Sequence, residues 1–276
     1  MSIASAVTAG QQREKDGSQE YAGRPGISVC MAAYNGERYI TAQLQSILVQ
    51  LSDNDEVVVV DDGSTDGTRD SVRAFQDDRI RLIEHEHNEG MSHTFQDAIR
   101  GASKSIIFLS DQDDLWVPDK IATVVQAFRD HPRVTLIATD SSLIRADGSL
   151  LLGSVFGRCG KFRSGLWANL VHNRYGGHCL AFRASILPDI LPLPHNWDVL
   201  HDIWIGVRHS LSHGHTLYID RPLTLSRRHE TTATGKKHLS VLRRIRIRVH
   251  LLLALAEFSV RKIIGPKSAK SIAVGQ

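Results

Sequence analysis

Short apolar runs alternate along the first half of the chain with segments whose apolar residues recur at helical spacing. The runs are rich in β-branched residues, as expected of strands buried on both faces of a sheet. They are Ile27–Ala32, Glu56–Val60, Arg79–Ile83, Ser105–Leu109 and Val134–Ala138. The first helical stripe comprises Ile40, Leu44, Ile47, Leu48 and Leu51. Strands that alternate with helices predict an α/β fold with a mostly parallel sheet flanked by helices.

The alternation changes after Ala138. Two apolar runs, Leu143–Arg145 and Leu150–Leu152, flank Asp147-Gly148, a hairpin signal that predicts an antiparallel addition to the sheet. The pattern then predicts a short helix, a strand and a longer helix. Their ranges are Leu166–Val171, Gly177–Phe182 and His201–Ser212.

The two ends of the chain differ from this middle part. Residues 1–26 are small and polar and are punctuated by glycine, which predicts a disordered leader. Between Lys236 and Lys270 the basic side chains are dense, and Glu257 is the only acid. We therefore expect a globular domain over residues 27–235 and a basic helical tail over residues 236–276.

The tail has two interpretations that the sequence leaves open. Its apolar stripe includes Leu242, Ile245, Val249, Leu252 and Leu253. A basic amphipathic helix of this kind can lie on an anionic membrane surface. The same stripe can instead pack on the globular domain, and the two interpretations can hold for different parts of the segment.

Composition excludes several classes of protein. An apolar fraction of 42% is ordinary for a soluble core, and no apolar run is long enough to span a membrane. The three cysteines are widely spaced without a C-x-x-C pair, which argues against a disulfide framework or a zinc knuckle. The N-terminal residues lack the pattern of a signal peptide, so a reducing cytoplasmic location is expected.

An acidic turn is the strongest candidate for chemistry. The stretch Ser110–Trp116 contains Asp111, Asp113 and Asp114, and it lies between a predicted strand and a helix that begins near Pro118. Two unit charges about 4 Å apart repel by roughly 4 kcal/mol at an effective dielectric constant near 20. A divalent cation would explain the crowding, since hard ions prefer carboxylate oxygens. The alternative is a solvated acidic turn near a helix N-terminus, where acids are favourable.

Three loops are expected to meet at one edge of the sheet, because ligands of α/β folds bind outside the carboxyl ends of the strands. They are Ala33-Tyr34-Asn35, Asp61-Asp62-Gly63-Ser64 and Asp111–Asp114. The second loop is also spaced like a calcium loop. Arg73 takes the position where that loop needs a bidentate acid, so we set this alternative aside.

With two later motifs, Val199–Trp204 and Pro222–His229, the chain resembles bacterial family 2 glycosyltransferases, especially the rhamnosyltransferase-like branch. The resemblance covers roughly Ile27 to His229. It implies an inverting enzyme with the A-type nucleotide-sugar fold, in which the sheet binds a nucleotide. Ser226 and Thr232 depart from the usual pattern, which often has an aromatic residue and an asparagine at these positions.

The resemblance also implies roles for individual residues. Tyr34 would stack on the nucleobase, Asp62 would accept the imide hydrogen of the base, and Asp111 would face the ribose. The other residues expected in the nucleotide-binding loops are Ala33, Asn35, Glu37 and Gly63.

Further residues are expected at the reacting end of the donor. Asp113 would bind a metal ion, Mg²⁺ or Mn²⁺, on which His229 would close. Asp202 matches the catalytic base, with an acid at a helix start as the alternative. The residues expected to contact donor or acceptor are Gly176, Gly177, His178, Trp116, Trp204, Arg227 and Arg228. For the glycines, a strained turn before a strand is the alternative, since glycine permits both close approach and unusual backbone angles.

These expectations combine into one hypothesis. The protein would transfer a sugar, which the resemblance implies is L-rhamnose from dTDP-rhamnose, to a lipid-linked or surface-polysaccharide glycan at the cytoplasmic membrane face. Its partners would be a dTDP- or UDP-linked sugar, the glycan acceptor and an anionic membrane surface, with no nucleic acid. A non-catalytic nucleotide-sugar-binding or scaffold protein is the alternative. A nucleotidyltransferase is disfavoured because its basic, glycine-rich phosphate loop is missing near the first strand.

Overall fold

The computed structural model describes residues 23–157, 165, 175–194, 197, 199–229 and 241–264. Most of the predicted leader, the predicted helix Leu166–Val171, and the residues Cys159 and Thr232 lie outside these ranges. The described residues form one nine-stranded sheet with helices on both faces. The strands are β1 Ile27–Ala33, β2 Glu56–Asp61, β3 Ile80–Glu84, β4 Ile106–Asp111, β5 Leu115–Trp116, β6 Val134–Arg145, β7 Leu150–Leu152, β8 Leu180–Arg183 and β9 His215–Arg228. The helices are α1 Glu37–Leu48, α2 Thr68–Arg73, α3 Met91–Gly101, α4 Lys120–Asp130, α5 Leu187–Ile190, α6 His201–Leu211 and α7 Val241–Ile264.

The first four strands are parallel, as the alternating pattern predicted. They lie in the order β3-β2-β1-β4. Side chains of β2 alternate between the two faces, so that Val58 and Val60 join one core cluster while Val57 and Val59 join the other. Because both faces are covered, every position of such a strand can be apolar, and this explains the continuous apolar runs in the sequence.

The second half of the sheet mixes strand directions. β8 lies between β4 and β6 and is antiparallel to both. The predicted hairpin is confirmed: β6 pairs with β7 in antiparallel fashion, and Gly148 in the turn has a φ of 85°. The strand predicted over Gly177–Phe182 begins only at Leu180, since Gly177–Cys179 form a 3₁₀ turn instead.

The sheet must curl, and the chain geometry shows why. β5 is four strand positions away from β4 in the order β4-β8-β6-β9-β5. In a flat sheet this would separate the two strands by about 19 Å. Only Gln112–Asp114 connect the two strands, and four residue steps reach at most about 14 Å. The sheet therefore bends until the end of β9 lies over the end of β4, and the acidic turn sits inside this bend.

The long strand β9 was not predicted. It runs parallel to β6 over most of its length, with irregular register near Asp140, where Ile219 and Pro222 pair with adjacent residues of β6. The intervening Asp220 and Arg221 bulge out of the ladder, which is the setting in which a strand tolerates proline. Within the part of the chain that the structure describes, no helix is both long enough and apolar enough to cross a membrane.

Candidate active site

The loops that follow β1, β2 and β4 lie side by side at the carboxyl edge of the sheet. Ala33 of β1 pairs with Asp61 of β2, and Ala32 pairs with Asp111 of β4. Since these neighbouring strands are parallel and end at the same level, their loops meet. The predicted convergence of the three loops is therefore present in the structure.

Polar side chains bind the first two loops to one another. The backbone N–H of Asn35 donates to Ser64 Oγ, and Asn35 Oδ1 accepts from the backbone N–H of Thr65, both at 2.9 Å. The Glu37 carboxylate accepts from the backbone N–H of Gly67 at 3.1 Å. Asn35 has a φ of 49°, in the left-handed region that asparagine tolerates better than most residues. Asn35 and Glu37, which were predicted to contact the nucleotide, hold the loops together in this structure.

Tyr34 presents an exposed ring on a fixed backbone. About half of the residue, 45%, is accessible to solvent. Gln112 Oε1 accepts from the Tyr34 N–H, and Gln112 Nε2 donates to the Tyr34 carbonyl, both at 2.8 Å. A rigidly mounted, open aromatic ring suits stacking against a flat base. Gln112, for which the sequence predicted no role, holds the backbone of Tyr34 in place through these two hydrogen bonds.

The Asp62 carboxylate closes the loop after β3. It accepts from the backbone N–H groups of Glu89 at 2.8 Å and Gly90 at 3.0 Å, and His85 Nδ1 lies 3.0 Å away. Burial lowers the pKa of His85, but its hydrogen bonds to Asp62 and Asp97 raise that pKa more. Each carboxylate oxygen has two acceptor positions, so Asp62 keeps acceptor capacity for the imide hydrogen of a base.

Gly63 allows the loops after β2 and β3 to approach each other. Its φ is 74°, and a Cβ at this position would lie 2.7 Å from the backbone carbonyl carbon of His87. A side chain here would both strain the backbone and collide with the neighbouring loop. Gly63 therefore shapes the predicted nucleotide-binding edge.

Asp111, Asp114 and His178 can together hold a metal ion. One donor atom from each lies within 4.8 Å of the other two. His178 Nδ1 is 3.6 Å from Asp111 Oδ2 and 4.0 Å from Asp114 Oδ2. Asp114 Oδ2 and His178 Nε2 are buried without a hydrogen-bond partner. Because such atoms are costly to leave unpaired, the cluster is suited to a ligand.

The electrostatics of this cluster are balanced from within. Burial raises the pKa values of Asp111 and Asp114; the charge of His178 opposes this rise, and neighbouring acids reinforce it. Burial lowers the pKa of His178, but its interactions with Cys179, Asp114 and Asp111 raise that pKa well above its ordinary value. A protonated His178 therefore partly neutralises the acids.

The end of β9 brings His229 onto the acidic turn. His229 Nε2 lies 2.6 Å from Asp113 Oδ2, and the ring of Tyr39 is 4.8 Å from the ring of His229. Arg228, the last residue of β9, is half-buried. The two residues predicted to bind the metal are thus in contact, and they form a second set of potential ligands beside the cluster described above.

Lys120 lies beneath the acidic turn and was missed by the sequence analysis. Its side chain is buried, and Nζ donates to the His178 carbonyl at 3.0 Å and to Thr224 Oγ1 at 2.8 Å. Nζ also lies 4.1 Å from the centre of the Trp116 ring. Burial lowers the pKa of Lys120 to about 8. Its spacing of four residues from Val124 puts it on the apolar stripe of α4, and this is the signal that identifies it as buried.

Asp202 is the second residue of α6 and is 7% exposed. Its Oδ1 accepts from the backbone N–H of Ile203 at 2.7 Å, and an acid in the first turn is favourable to a helix. Its charge is among those that raise the pKa of Asp111, so the two carboxylates share one region. The position is compatible with a base and with a helix-start acid, the two interpretations that the sequence left open.

Two glycines give room to two histidines. A Cβ on Gly177 would lie 2.2 Å from His201 Nε2, and a Cβ on Gly176 would lie 3.2 Å from His178 Cε1. His201 stacks on Phe95 with the ring centres 4.1 Å apart, and neither of its ring nitrogens has a hydrogen-bond partner. Gly177 thus leaves room for the His201 ring, and Gly176 lies in tight contact with the His178 ring, while the predicted contact of both glycines with the donor stays a prediction.

Three residues expected to contact donor or acceptor are turned into the protein. Trp116 and Trp204 are 4% and 1% exposed and belong to the two core clusters. Arg227 donates to the backbone carbonyls of Asp113 and Ala146, both at 3.0 Å. Burial gives the tryptophans a packing role, and Arg227 holds the turn through its bonds to these carbonyls; contact of the three residues with donor or acceptor stays a prediction.

Comparison with known proteins identifies the family. The model of Glycosyl transferase family 2 matches residues 28–191, more than half of the chain. The chain belongs to this family. The matched region contains all three converging loops and His178, whereas Asp202 and His229 lie beyond it.

Glycosyltransferases from several bacteria align with parts of the chain. The Escherichia coli UDP-Glc:alpha-D-GlcNAc-diphosphoundecaprenol beta-1,3-glucosyltransferase WfgD is 38% identical over 95 residues, covering 34% of this chain and 38% of that protein. The Streptococcus pneumoniae glycosyltransferase GlyG is 30% identical over 125 residues, covering 45% of this chain and 42% of that protein. The chain spans less than half of the length of either relative.

Solved structures share the fold at low sequence identity. S. aureus TarS in complex with UDP-GlcNAc superimposes with a TM-score of 0.60 at 18% identity, covering 87% of this chain and 73% of that chain. The mannosyltransferase PcManGT from Pyrobaculum calidifontis, in complex with GDP-Man and Mn²⁺, gives 0.55 at 24% identity, covering 90% and 66%. The predicted A-type glycosyltransferase fold is thereby confirmed.

Proposed function

We propose that the chain transfers a sugar from a nucleoside diphosphate sugar to a glycan hydroxyl, with inversion at the anomeric carbon. One observation carries the proposal: the acidic turn, with His178 and His229 against it, lies where the loops after β1 and β2 also end. A base-stacking ring, an imide acceptor and a cation-binding turn on one edge match the three parts of such a donor.

For the donor, we propose dTDP-rhamnose on the resemblance to the rhamnosyltransferase-like branch alone. Two further donors should be tested beside dTDP-rhamnose, because WfgD is named for UDP-Glc and TarS was solved with UDP-GlcNAc. These donors share a nucleoside diphosphate, which Tyr34, Asp62 and Asp111 would recognise through base and ribose. The identity of the transferred sugar depends on the shape of the pocket that binds it.

For the acceptor, we propose a lipid-linked or surface-polysaccharide glycan at the cytoplasmic face of the membrane. The name of WfgD supports this class, since it specifies a sugar on diphosphoundecaprenol.

A divalent ion, Mg²⁺ or Mn²⁺, fits the residues of the acidic turn. Carboxylate oxygens and imidazole nitrogens are suitable ligands, and the buried atoms without partners lie among them. Asp113 with His229 is the set that the family resemblance implies. Asp111, Asp114 and His178 are the set that the geometry adds. When bound, such an ion neutralises the charge that develops on the diphosphate leaving group.

Asp202 is the residue we propose as the base. An inverting transfer needs a carboxylate that takes the proton of the acceptor hydroxyl while its oxygen attacks the anomeric carbon. The bond from that carbon to the diphosphate oxygen breaks at the same time. The backbone N–H of Ile203 holds one oxygen of Asp202, which orients the carboxylate at the start of α6.

The test is transfer by the full chain from a panel of dTDP- and UDP-sugars to diphosphoundecaprenol-linked GlcNAc in the presence of Mn²⁺. Asp202→Asn should lower the rate by about 10²- to 10⁴-fold, because the amide keeps the shape but cannot accept the proton. Donor binding, followed by calorimetry, should change little. Asp220→Asn, at an exposed position outside the site, is the matched control.

Two results would contradict the proposal. A parent protein that binds donors but transfers to neither lipid-linked nor free glycans would be a binding protein. If Asp202→Asn transfers sugar at the parent rate, another residue must be the base.

A further inference from the structure

Helix α7 is apolar on two opposite faces. Its inner face is between 0% and 8% exposed and joins the core. The residues of this face are Ile247, Leu251, Ala254 and Phe258. Its outer face is between 45% and 79% exposed, and its residues are Leu242, Ile245, Val249, Leu252, Leu253 and Val260. At about 100° of rotation per residue the two sets lie on opposite sides of the helix.

Contacts with the domain fix the orientation of the outer face. Phe258 lies with its ring centre 5.6 Å from that of Trp204 in α6, and the Arg208 guanidinium lies 3.9 Å from the Phe258 ring. The Trp197 indole N–H donates to Glu257 at 2.9 Å. Because α7 is held along its inner side, its outer apolar face cannot turn inward without losing these contacts.

The charge around the outer face points to the chemistry of its partner. Glu257 is the only acid between Lys236 and Lys270, and its carboxylate bonds to Trp197 on the inner side. Arg246, which is exposed, and Arg248, which is half-buried, lie on the two flanks of the helix, between its inner and outer faces. An apolar stripe about 27 Å long in a strongly basic segment is the pattern of a helix that lies in the interface of an anionic bilayer.

We propose that the outer face of α7 docks the protein on an anionic lipid surface. The stripe would enter the boundary between headgroups and acyl chains, and the basic side chains of the segment would meet lipid phosphates. This assignment rests on α7 alone and holds whichever donor and acceptor the enzyme uses. The two interpretations of the tail are thereby combined, since one face packs on the domain while the other meets lipid.

Co-sedimentation of the full chain with vesicles tests the proposal. The parent should bind vesicles that contain phosphatidylglycerol and bind phosphatidylcholine vesicles weakly, and salt should reduce the binding because it screens the charges. The variant Ile245→Ser, Val249→Ser, Leu252→Ser should lose at least about tenfold in partitioning. Leu150→Ser with Leu151→Ser is the matched control, since both are exposed apolar residues on β7. Thermal melting of each variant checks that it is folded.

Several outcomes would overturn the assignment. The parent could fail to bind phosphatidylglycerol vesicles, or it could bind neutral vesicles equally well. The triple variant could also bind phosphatidylglycerol vesicles as strongly as the parent does. A parent dimer that becomes monomeric in the triple variant, without lipid binding, would mean that a second copy covers the face. Should the triple variant unfold, Arg246→Gln provides the test, with an expected loss of about fivefold on phosphatidylglycerol vesicles.

Discussion

At the scale of single residues, the acidic turn is surrounded by basic side chains of the protein itself. His178 faces Asp111 and Asp114, His229 contacts Asp113, and the ammonium of Lys120 lies beneath them. The charges of His178 and Lys120 offset part of the repulsion between Asp111 and Asp114. The turn can therefore fold before any ion arrives, and each histidine marks a place that an ion could share or take over.

The metal assignment can be tested by substitution of single carboxylates. Asp113→Ala should weaken UDP binding by at least about tenfold in the presence of Mn²⁺, measured by calorimetry, because a ligand of the ion is lost. Asp114→Asn discriminates between the two ligand sets. If the cluster with His178 holds the ion, Asp114→Asn should weaken UDP binding and Asp113→Ala should not. Asp220→Ala is the control. If both variants bind UDP with the affinity of the parent, the acidic turn does not hold the metal ion.

His209 predicts acid-sensitive stability. It is buried between Thr135 and Thr216, whose hydroxyls lie 2.7 and 3.2 Å from its ring nitrogens. Burial lowers the pKa of His209 to about 4 from its ordinary value of 6.5. Between these values the unfolded chain binds a proton that the folded chain does not, so the free energy of unfolding should fall as pH decreases. The loss should be on the order of 3 kcal/mol between about pH 6.5 and 4.

Urea denaturation at a series of pH values measures this dependence. His209→Gln should flatten the slope over that window, because glutamine can bond to the threonines without titrating. His131→Gln replaces an exposed histidine and should keep the parent slope. Equal slopes for His209→Gln and the parent would show that other groups cause the sensitivity.

At the scale of elements, the sequence predicted the strands that local hydrophobic patterns define. It did not predict the strands that form only by pairing with a distant part of the chain. β1, β2 and β4 were predictable because each is a continuous apolar run covered on both faces. β9 escaped prediction because it contains Pro222 and several charged residues, and its strand conformation depends on pairing with β6. β5 has only two residues and forms only against β9. Likewise, the acidic turn was predictable as a candidate site, but Lys120 and Gln112 act through contacts that follow from the folded chain.

The packing of the 3₁₀ turn Gly177–Cys179 on α6 gives a prediction at this scale. Gly177→Ala should lower the free energy of unfolding by about 1–3 kcal/mol, because the methyl group would enter the space of the His201 ring. Adding His201→Ala should restore part of the loss, which a double-mutant cycle measures. Gly153→Ala meets nothing within 4 Å and is the control. Additive effects of Gly177→Ala and His201→Ala would contradict this account of the glycine.

At the scale of the whole molecule, α7 joins the same core as α3 and α6. The boundary at residue 235 stays a prediction, and the burial of Ile247, Leu251 and Phe258 gives a reason to test it. Removing the residues after Gly235 should lower the melting temperature strongly, because each lost side chain contributes about 1.5–3 kcal/mol of burial. Deleting residues 1–22, the greater part of the predicted disordered leader, should leave the melting temperature unchanged. A fragment that ends at Gly235 and melts like the parent would make α7 an independent appendage.

The order of the strands also determines when the site can be completed during synthesis. Leu115 of β5 leaves the ribosome about 110 residues before its partner Leu225 of β9. At typical rates of translation this interval lasts roughly 5 to 20 s. A nascent chain that stops before His229 has all three converging loops but lacks the imidazole that contacts Asp113. The contact between His229 and Asp113 can thus form only after β9 has been made, and β9, the last strand of the described residues, completes the edge that the first strands began.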